Sequence, residues 1–269
     1  MLGTLRCDVQ NTGYPPKVCG VTTANWRSAL VEGAHTLGLS LPTEAVDALL
    51  AYLGLLQKWN QVYNLTAVRE PADMLTHHLL DSLAVIQPLR RHLDKTLPTE
   101  PAGSAARNQL TRADNLRHSE VSPLQTGKTR LLDVGSGAGL PGVVIAICCP
   151  DIIVDCVDTV AKKTAFINQV AVSLKLKNLR GLHARVEKLA ELPYDVISSR
   201  AFASLQDFVT GSGNSLAERG VWIAMKGKHP AEELAQLPPS LYVFHVEQLM
   251  VPGLHAERCL IWMKPKLAE

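Results

Sequence analysis

Leu131-Leu132-Asp133-Val134-Gly135-Ser136-Gly137-Ala138-Gly139-Leu140-Pro141-Gly142 is the stretch on which the fold turns. An apolar run ends in four glycines, and an apolar segment follows them through Cys149. The pattern predicts a short strand over 130–134, a tight glycine turn and a helix over 140–149. Glycines in such a turn let backbone approach a ligand, and a helix start offers free N–H groups to an anion. The pattern repeats downstream. Ile152 to Val157 is rich in β-branched residues, and Val160 to Leu176 carries Phe166, Ile167, Val170 and Leu174 at helical spacing. Short strands are predicted at 179–184, 194–198 and 221–225. Two more at 241–251 and 258–263 have only a Pro252-Gly253 turn between them. Strand–helix alternation predicts an α/β fold, a mostly parallel sheet with helices on both faces. The last two strands, lacking a helix, predict a terminal antiparallel hairpin at one edge.

Upstream, Val46, Leu49, Leu50, Leu53, Leu56 and Trp59 fall on one helical face. A second helix is expected from Pro71, with Met74, Leu75, His78, Leu79, Leu83 and Ile86 on one side. Residues 26–93 thus read as a small helical region and 130–269 as the α/β domain. Residues 1–25 hold Gly3, Gly13, Pro15, Pro16 and Gly20 without apolar period and read as a loose tail. Residues 94–129 hold Pro98, Pro101, Gly103, Pro123 and Gly127 among polar residues. They read as a disordered insertion.

Three cofactor classes use a glycine turn of this kind. A P-loop needs Lys after its last glycine, and Val143 follows Gly142. A dinucleotide fold needs GxGxxG, which Gly137, Gly139 and Gly142 supply literally, with Asp158 at a suitable distance. Spacing alone leaves that reading open. S-adenosylmethionine is the third, and charge favours it. Asp133 stands two residues before the first glycine, where a carboxylate would repel a pyrophosphate but not a sulfonium-bearing amino acid. Asp158 ends the second strand, where a carboxylate can accept both ribose hydroxyls. The competing role is to cap the following helix.

Bulk properties exclude several classes. In 269 residues there are 27 basic and 25 acidic side chains, with 46% hydrophobic and 19% charged. Neither half is basic: 12 against 11 up to Lys128, then 15 against 14. Bulk charge therefore reveals no nucleic-acid module, though a local patch would suffice. The longest apolar run, Val143–Cys149, is far short of the roughly 20 residues that cross a bilayer. No secretory leader is expected, since Arg6, Asp8 and Asn11 interrupt the start. The six cysteines form no CxxC pair and no Cys/His quartet. A cytoplasmic protein with reduced thiols and no metal site is expected.

Four separated segments carry a family resemblance: Trp59-Asn60-Gln61-Val62-Tyr63-Asn64-Leu65-Thr66-Ala67-Val68-Arg69, His78-Leu79-Leu80-Asp81-Ser82-Leu83, the glycine stretch itself, and Ser199-Arg200-Ala201-Phe202-Ala203-Ser204-Leu205. In this order they closely resemble the glucose-inhibited division protein B family, over roughly 26–93 and 130–264. The resemblance implies a class I methyltransferase fold preceded by a small helical region. It implies transfer of a methyl group from S-adenosylmethionine to N7 of one guanine in 16S ribosomal RNA, in the small ribosomal subunit. It also implies cofactor contacts at Gly135 and Leu140, with Val186 and Glu187 beside the adenine and Arg200 closing the site. The tail and the 94–129 insertion are departures, and neither interrupts a motif.

Guanine N7 has a lone pair and no proton, so no catalytic base is expected. Adjacent helical residues diverge, which makes His77 and His78 a poor metal pair. His78 reads as a buried histidine with Asp81 as its partner. Arg200 stays protonated and can hold cofactor, phosphate or guanine O6, or else form a salt bridge. Lys162, Lys163, Lys226 and Lys228 fall on the ligand side and are candidates for RNA phosphate contacts. Trp59, Tyr63 and Leu65 read as an interface between helical region and sheet. A monomer is expected. The competing functions are a nicotinamide-dependent dehydrogenase and a non-catalytic RNA-binding assembly protein.

Overall fold

The computed structural model describes residues 25–96, 128–189, 193–200, 202 and 204–266. The expected tail at 1–25 and insertion at 94–129 lie outside the described residues, apart from their ends.

The strands are β1 (Arg130–Val134), β2 (Ile153–Asp158), β3 (Leu179–His183), β4 (Tyr194–Arg200), β5 (Leu216–Lys226), β6 (Leu241–Gln248) and β7 (Cys259–Pro265). They form one sheet in the order β3-β2-β1-β4-β5-β7-β6. The first five are mutually parallel, and β7 runs antiparallel between β5 and β6. This is the mostly parallel sheet with a terminal antiparallel hairpin that the alternation predicted, and the class I methyltransferase fold that the family resemblance implied. Crossover helices α6 (Gly142–Cys148), α7 (Ala161–Ser173) and α8 (Leu205–Ser212) cover the two faces. Because both faces are covered, the central strands are buried along most of their length rather than alternating in and out, and β1 is buried from Leu131 to Val134. From β1 the chain turns to β2 on one side and reaches β4 on the other. The crevice at such a reversal is where open α/β sheets bind ligands.

A buried carboxylate at the centre of the sheet is satisfied on three sides. Asp155 on β2 accepts from Arg180 on β3 at 2.9 Å, from the Tyr194 hydroxyl on β4 at 2.8 Å, and from Arg130 on β1 at 3.3 Å. Four strands are joined by one carboxylate, which offsets its desolvation.

The helical region is not a separate body. Its helices α1 (Trp26–Thr36) and α2 (Thr43–Tyr63) bury Leu30, Leu49, Leu53 and Leu56 in the same cluster as Leu131, Val154 and Val196 of the sheet. Trp59 packs on Phe166 of α7 with ring centroids 5.4 Å apart, and Leu65 is buried. The expected interface is present, with Tyr63 at its exposed rim, 5.1 Å from Trp59.

The helix predicted from Pro71 is broken. An α turn (α3, Pro71–Met74) widens into a π-helix over Leu75–Leu80, returns to α geometry at α4 (Asp81–Leu83), and stops. Ile86 opens a new helix, α5 (Ile86–Thr96), instead of extending the old one. Pro88 gives the reason: it has no N–H and clashes with the preceding turn, so it is accommodated only near a helix start.

Candidate active site

The glycine turn owes its shape to positive φ. Gly135, Gly137 and Gly139 lie at +66°, +59° and +91°, a region that side chains avoid. The turn closes on itself through Leu140 N–H to Ser136 O (3.0 Å) and on β2 through Gly135 N–H to Val157 O (2.9 Å). Tyr52, fully buried on α2, donates its hydroxyl to Ala138 O at 2.8 Å. The helical region thereby holds the glycine turn directly, a contact across 86 residues that no local pattern signals.

Asp133 does not do what the charge argument supposed. Its carboxylate is wholly buried and turned under the loop, away from the ligand crevice. Oδ2 accepts from Gly142 N–H at 3.0 Å and Oδ1 from the Ser198 hydroxyl at 2.9 Å. Burial pushes the carboxyl up to about 6, against the lowering effect of these two donors and Arg200. Gly142 is the first residue of α6, so Asp133 occupies the helix N-terminus that a pyrophosphate would need. The residue still disfavours a dinucleotide, but by closing the anion site rather than by facing the ligand.

A cavity of about 420 Å³ opens at the carboxyl ends of β1, β2 and β4, within the size range of small-molecule sites. Gly135, Asp158, Val186, Glu187 and Arg200, five of the six expected cofactor contacts, line it. Leu140 does not; it is buried in the core beneath the turn. Asp158 is 6% exposed. Oδ2 accepts from Gly137 N–H (3.0 Å) and lies 3.4 Å from Lys163 Nζ, while Oδ1 accepts from Val160 N–H (2.9 Å). Val160 is the residue before α7, so Asp158 makes an Asx turn rather than capping a first-turn N–H. A carboxylate has about four acceptor positions, and the long Lys163 contact is the weakest of those filled. Ribose hydroxyls can replace it. Val134, Val157, Val160 and Phe202 supply apolar wall for a flat ring. These residues fit S-adenosylmethionine: a carboxylate for the diol, apolar surface for adenine, and a left-handed turn without side chains for the amino-acid end.

The lysine candidates separate. Lys163 lines the cavity, whereas Lys162 and Lys228 are exposed. Lys226 is 12% exposed and committed to Glu233, at 2.8 and 3.0 Å, and to Phe202 O at 3.2 Å. Two further lining residues have no site role in the sequence reading: Phe202 stands there only as part of the Ser199–Leu205 motif, and Thr159 is an ordinary residue beside Asp158. Arg200 donates to Asp81 Oδ2 (3.1 Å) and to His77 O (3.0 Å) while lining the cavity. Asp81 is therefore not the hydrogen-bond partner of His78, as expected. His78 Nε2 lies 3.0 Å from Thr66 Oγ1, and burial lowers its pKa to about 4, so it is neutral near pH 7. Among the described residues there is no cluster of three or more His, Cys, Asp or Glu side chains that would hold a metal.

The profile of one protein family, described as rRNA small subunit methyltransferase G, matches residues 45–97 and 113–261. A "Ribosomal RNA small subunit methyltransferase G" from Albidiferax ferrireducens is 61% identical over 236 residues, covering 88% of this chain and 96% of that one. One of the same name from Paracidovorax citrulli is 59% identical, covering 87% and 88%. Among solved structures, TrmN from Thermus thermophilus aligns with a TM-score of 0.43 at 20% identity, over 51% of this chain and 44% of that one. The sheet order, the crevice at its reversal and a match that runs through both the helical region and the sheet lead to one assignment: the chain belongs to the rRNA small subunit methyltransferase G family.

Proposed function

We propose that this chain transfers the methyl group of S-adenosylmethionine to N7 of a guanine in 16S ribosomal RNA, acting as a monomer in the cytoplasm. The observation that carries this reading is the crevice itself: Asp158, Val186 and Glu187 line one cavity with Gly135 of a glycine turn whose helix N-terminus is already taken by Asp133. A family of ribosomal RNA methyltransferases supplies the acceptor class. Neither a dehydrogenase nor a non-catalytic assembly protein finds support in that membership.

When bound, the cofactor supplies an electrophilic methyl carbon on a sulfonium. Everything else falls to positioning. N7 carries its attacking lone pair in the ring plane and loses no proton, so the protein need not remove one. His78, in the helical region beside Arg200, is neutral, buried and engaged with Thr66. Asp158 would fix the ribose while Val157, Val186 and Phe202 exclude water from the adenine. Arg200, on the crevice wall, would hold the acceptor or its phosphate by a planar, permanently charged fork. Holding two reactants in line is worth several kcal/mol of barrier without acid–base chemistry. Lys162 and Lys228, both exposed, remain the candidates for phosphate contacts.

The test is methyl incorporation from labelled S-adenosylmethionine into small ribosomal subunits, followed by mapping of the modified base. Calorimetric titration with S-adenosylmethionine and with NAD runs beside it. Saturable NAD binding without S-adenosylmethionine binding would overturn the cofactor, and a label elsewhere than guanine N7 would overturn the acceptor.

A further inference from the structure

Asp81 begins α4, at the point where the π-helix Leu75–Leu80 returns to α geometry. Such π stretches recur at functional sites. The side chain is 4% exposed and grips two guanidinium groups: Oδ2 lies 3.1 Å from Arg200 Nη1 and Oδ1 lies 2.8 Å from Arg258 Nε. Arg200 ends β4, and Arg258 immediately precedes β7. One buried carboxylate of the helical region thus holds two separate points of the sheet's ligand edge. The π-helix contributes a second restraint, the carbonyl of His77, at 3.0 Å from the same Nη1.

A second cavity of about 340 Å³ lies over this junction, lined by Val68, His77, Asp81, Lys226 and Arg258 together with Arg200. Among the described residues, Arg200 alone lines both this cavity and the cofactor cavity. Arg200 therefore stands at the seam through which an acceptor nucleotide seated in one would meet the methyl group held in the other. Its position there is not intrinsic. An arginine has many rotamers, and here two cations face each other across a single anion. Without that anion the guanidinium groups repel, and the fork at the seam is released.

We infer that Asp81 is a positioning residue for methyl transfer, which holds the Arg200 guanidinium at the seam between the two cavities. The inference rests on the methyltransferase reading above. Asp81 does not line the cofactor cavity, so its effect should appear in the transfer step rather than in cofactor affinity.

A double-mutant cycle on small-subunit methylation separates this role from a purely structural one. Asp81→Asn should lower kcat on the order of ten- to hundredfold, the size expected for loss of a charged hydrogen bond, while changing cofactor Kd less than about threefold. In an Arg200→Ala background the same substitution should lower kcat by less than about twofold, because Asp81 then has nothing to position. Wild-type kcat in Asp81→Asn overturns the inference. So does a full Asp81→Asn effect in the Arg200→Ala background. Should Asp81→Asn fail to fold, Asp81→Glu keeps the charge for both arginines but displaces it by one carbon. Its kcat should fall with the melting temperature preserved, and an unchanged kcat overturns the inference equally. Wild-type protein that methylates no small subunit defeats the function itself, whereas wild-type transfer with additive variants defeats only the role of Asp81.

Discussion

Asp133→Asn should stabilise this protein in alkaline buffer, although it removes a charge at a helix start. The carboxyl is completely buried, and burial raises its pKa from 3.8 to about 6. About two pKa units at 1.36 kcal/mol each amount to about 3 kcal/mol, carried by the folded state wherever the group is ionised. The sign follows from proton binding. The folded state binds the proton more tightly than the unfolded chain, so this contribution favours folding below pH 4, is lost as pH rises through about 6, and is fully absent above 7. Asparagine has the same shape and no charge to desolvate. Its Oδ1 can still accept from Gly142 N–H, and its amide can donate to Ser198 Oγ, whose proton then turns toward Leu132 O, 3.5 Å away. The ceiling of about 3 kcal/mol corresponds to a rise in Tm of roughly 6–12 °C for a chain of this size. His78 acts with the opposite sign over much of the same range: its pKa is lowered to about 4, so its contribution is intact above pH 6.5 and is lost as pH falls through 4. In the wild type the two partly cancel between pH 4 and 6. In Asp133→Asn the opposing slope is gone, the slope of His78 remains, joined by that of His92, whose pKa burial also lowers, and Tm should fall steadily on acidification. Thermal scans from pH 4 to 9 read both effects. An Asp133→Asn protein less stable than wild type at pH 8 would refute the reasoning and return to Asp133 a net stabilising charge at α6.

Asp158→Ala removes an acceptor on the cavity wall, and calorimetry should find S-adenosylmethionine affinity lower by about tenfold to a hundredfold, the range for a hydrogen bond to a charged group. Unchanged affinity in a folded variant would confine Asp158 to its Asx turn. Tyr52→Phe leaves the packing of α2 intact but removes the donor to Ala138 O, at a cost of about 1–3 kcal/mol for the stranded carbonyl; cofactor affinity should weaken along with Tm, and weakening of Tm alone would show that the turn does not depend on the helical region. With chemistry rate-limiting, the single-turnover transfer rate should lack a protein-derived basic limb between pH 6 and 9, whereas a side-chain base would produce a titration near its own pKa.

Much of the fold was legible from short segments. Period-2 and fully apolar runs of five to seven residues, separated by stretches of 3.6 periodicity, are properties of neighbours in sequence, and they specify strand, helix and alternation without reference to the rest of the chain. The glycine turn was legible for the same reason: its geometry is written in the residues that form it. Val186 and Glu187 carry no such local signal and came only through the family resemblance; with Gly135, Asp158 and Arg200 they line one cavity. The break after Leu83 was readable in principle, because Pro88 cannot sit in the middle of a helix.

What sequence could not determine was the direction in which a buried polar side chain turns, and which of several partners it takes. Asp133 was correctly singled out as unusual, yet its carboxylate serves Gly142 and Ser198 instead of a ligand, since only the folded sheet places Ser198 on the neighbouring strand. Asp81 was assigned to His78, three residues away, because helical spacing makes only local pairs visible; the tertiary structure gives it Arg200 and Arg258, 119 and 177 residues distant. Lys226 reads as a free cation until Glu233 arrives beside it from α9 (Ala231–Ala235). The linear pattern decides which backbone elements form, because hydrogen bonding and burial along one segment repeat at a fixed period. The pairing of charges is decided by desolvation and distance between segments, and those quantities come into being only when the sheet has closed over them.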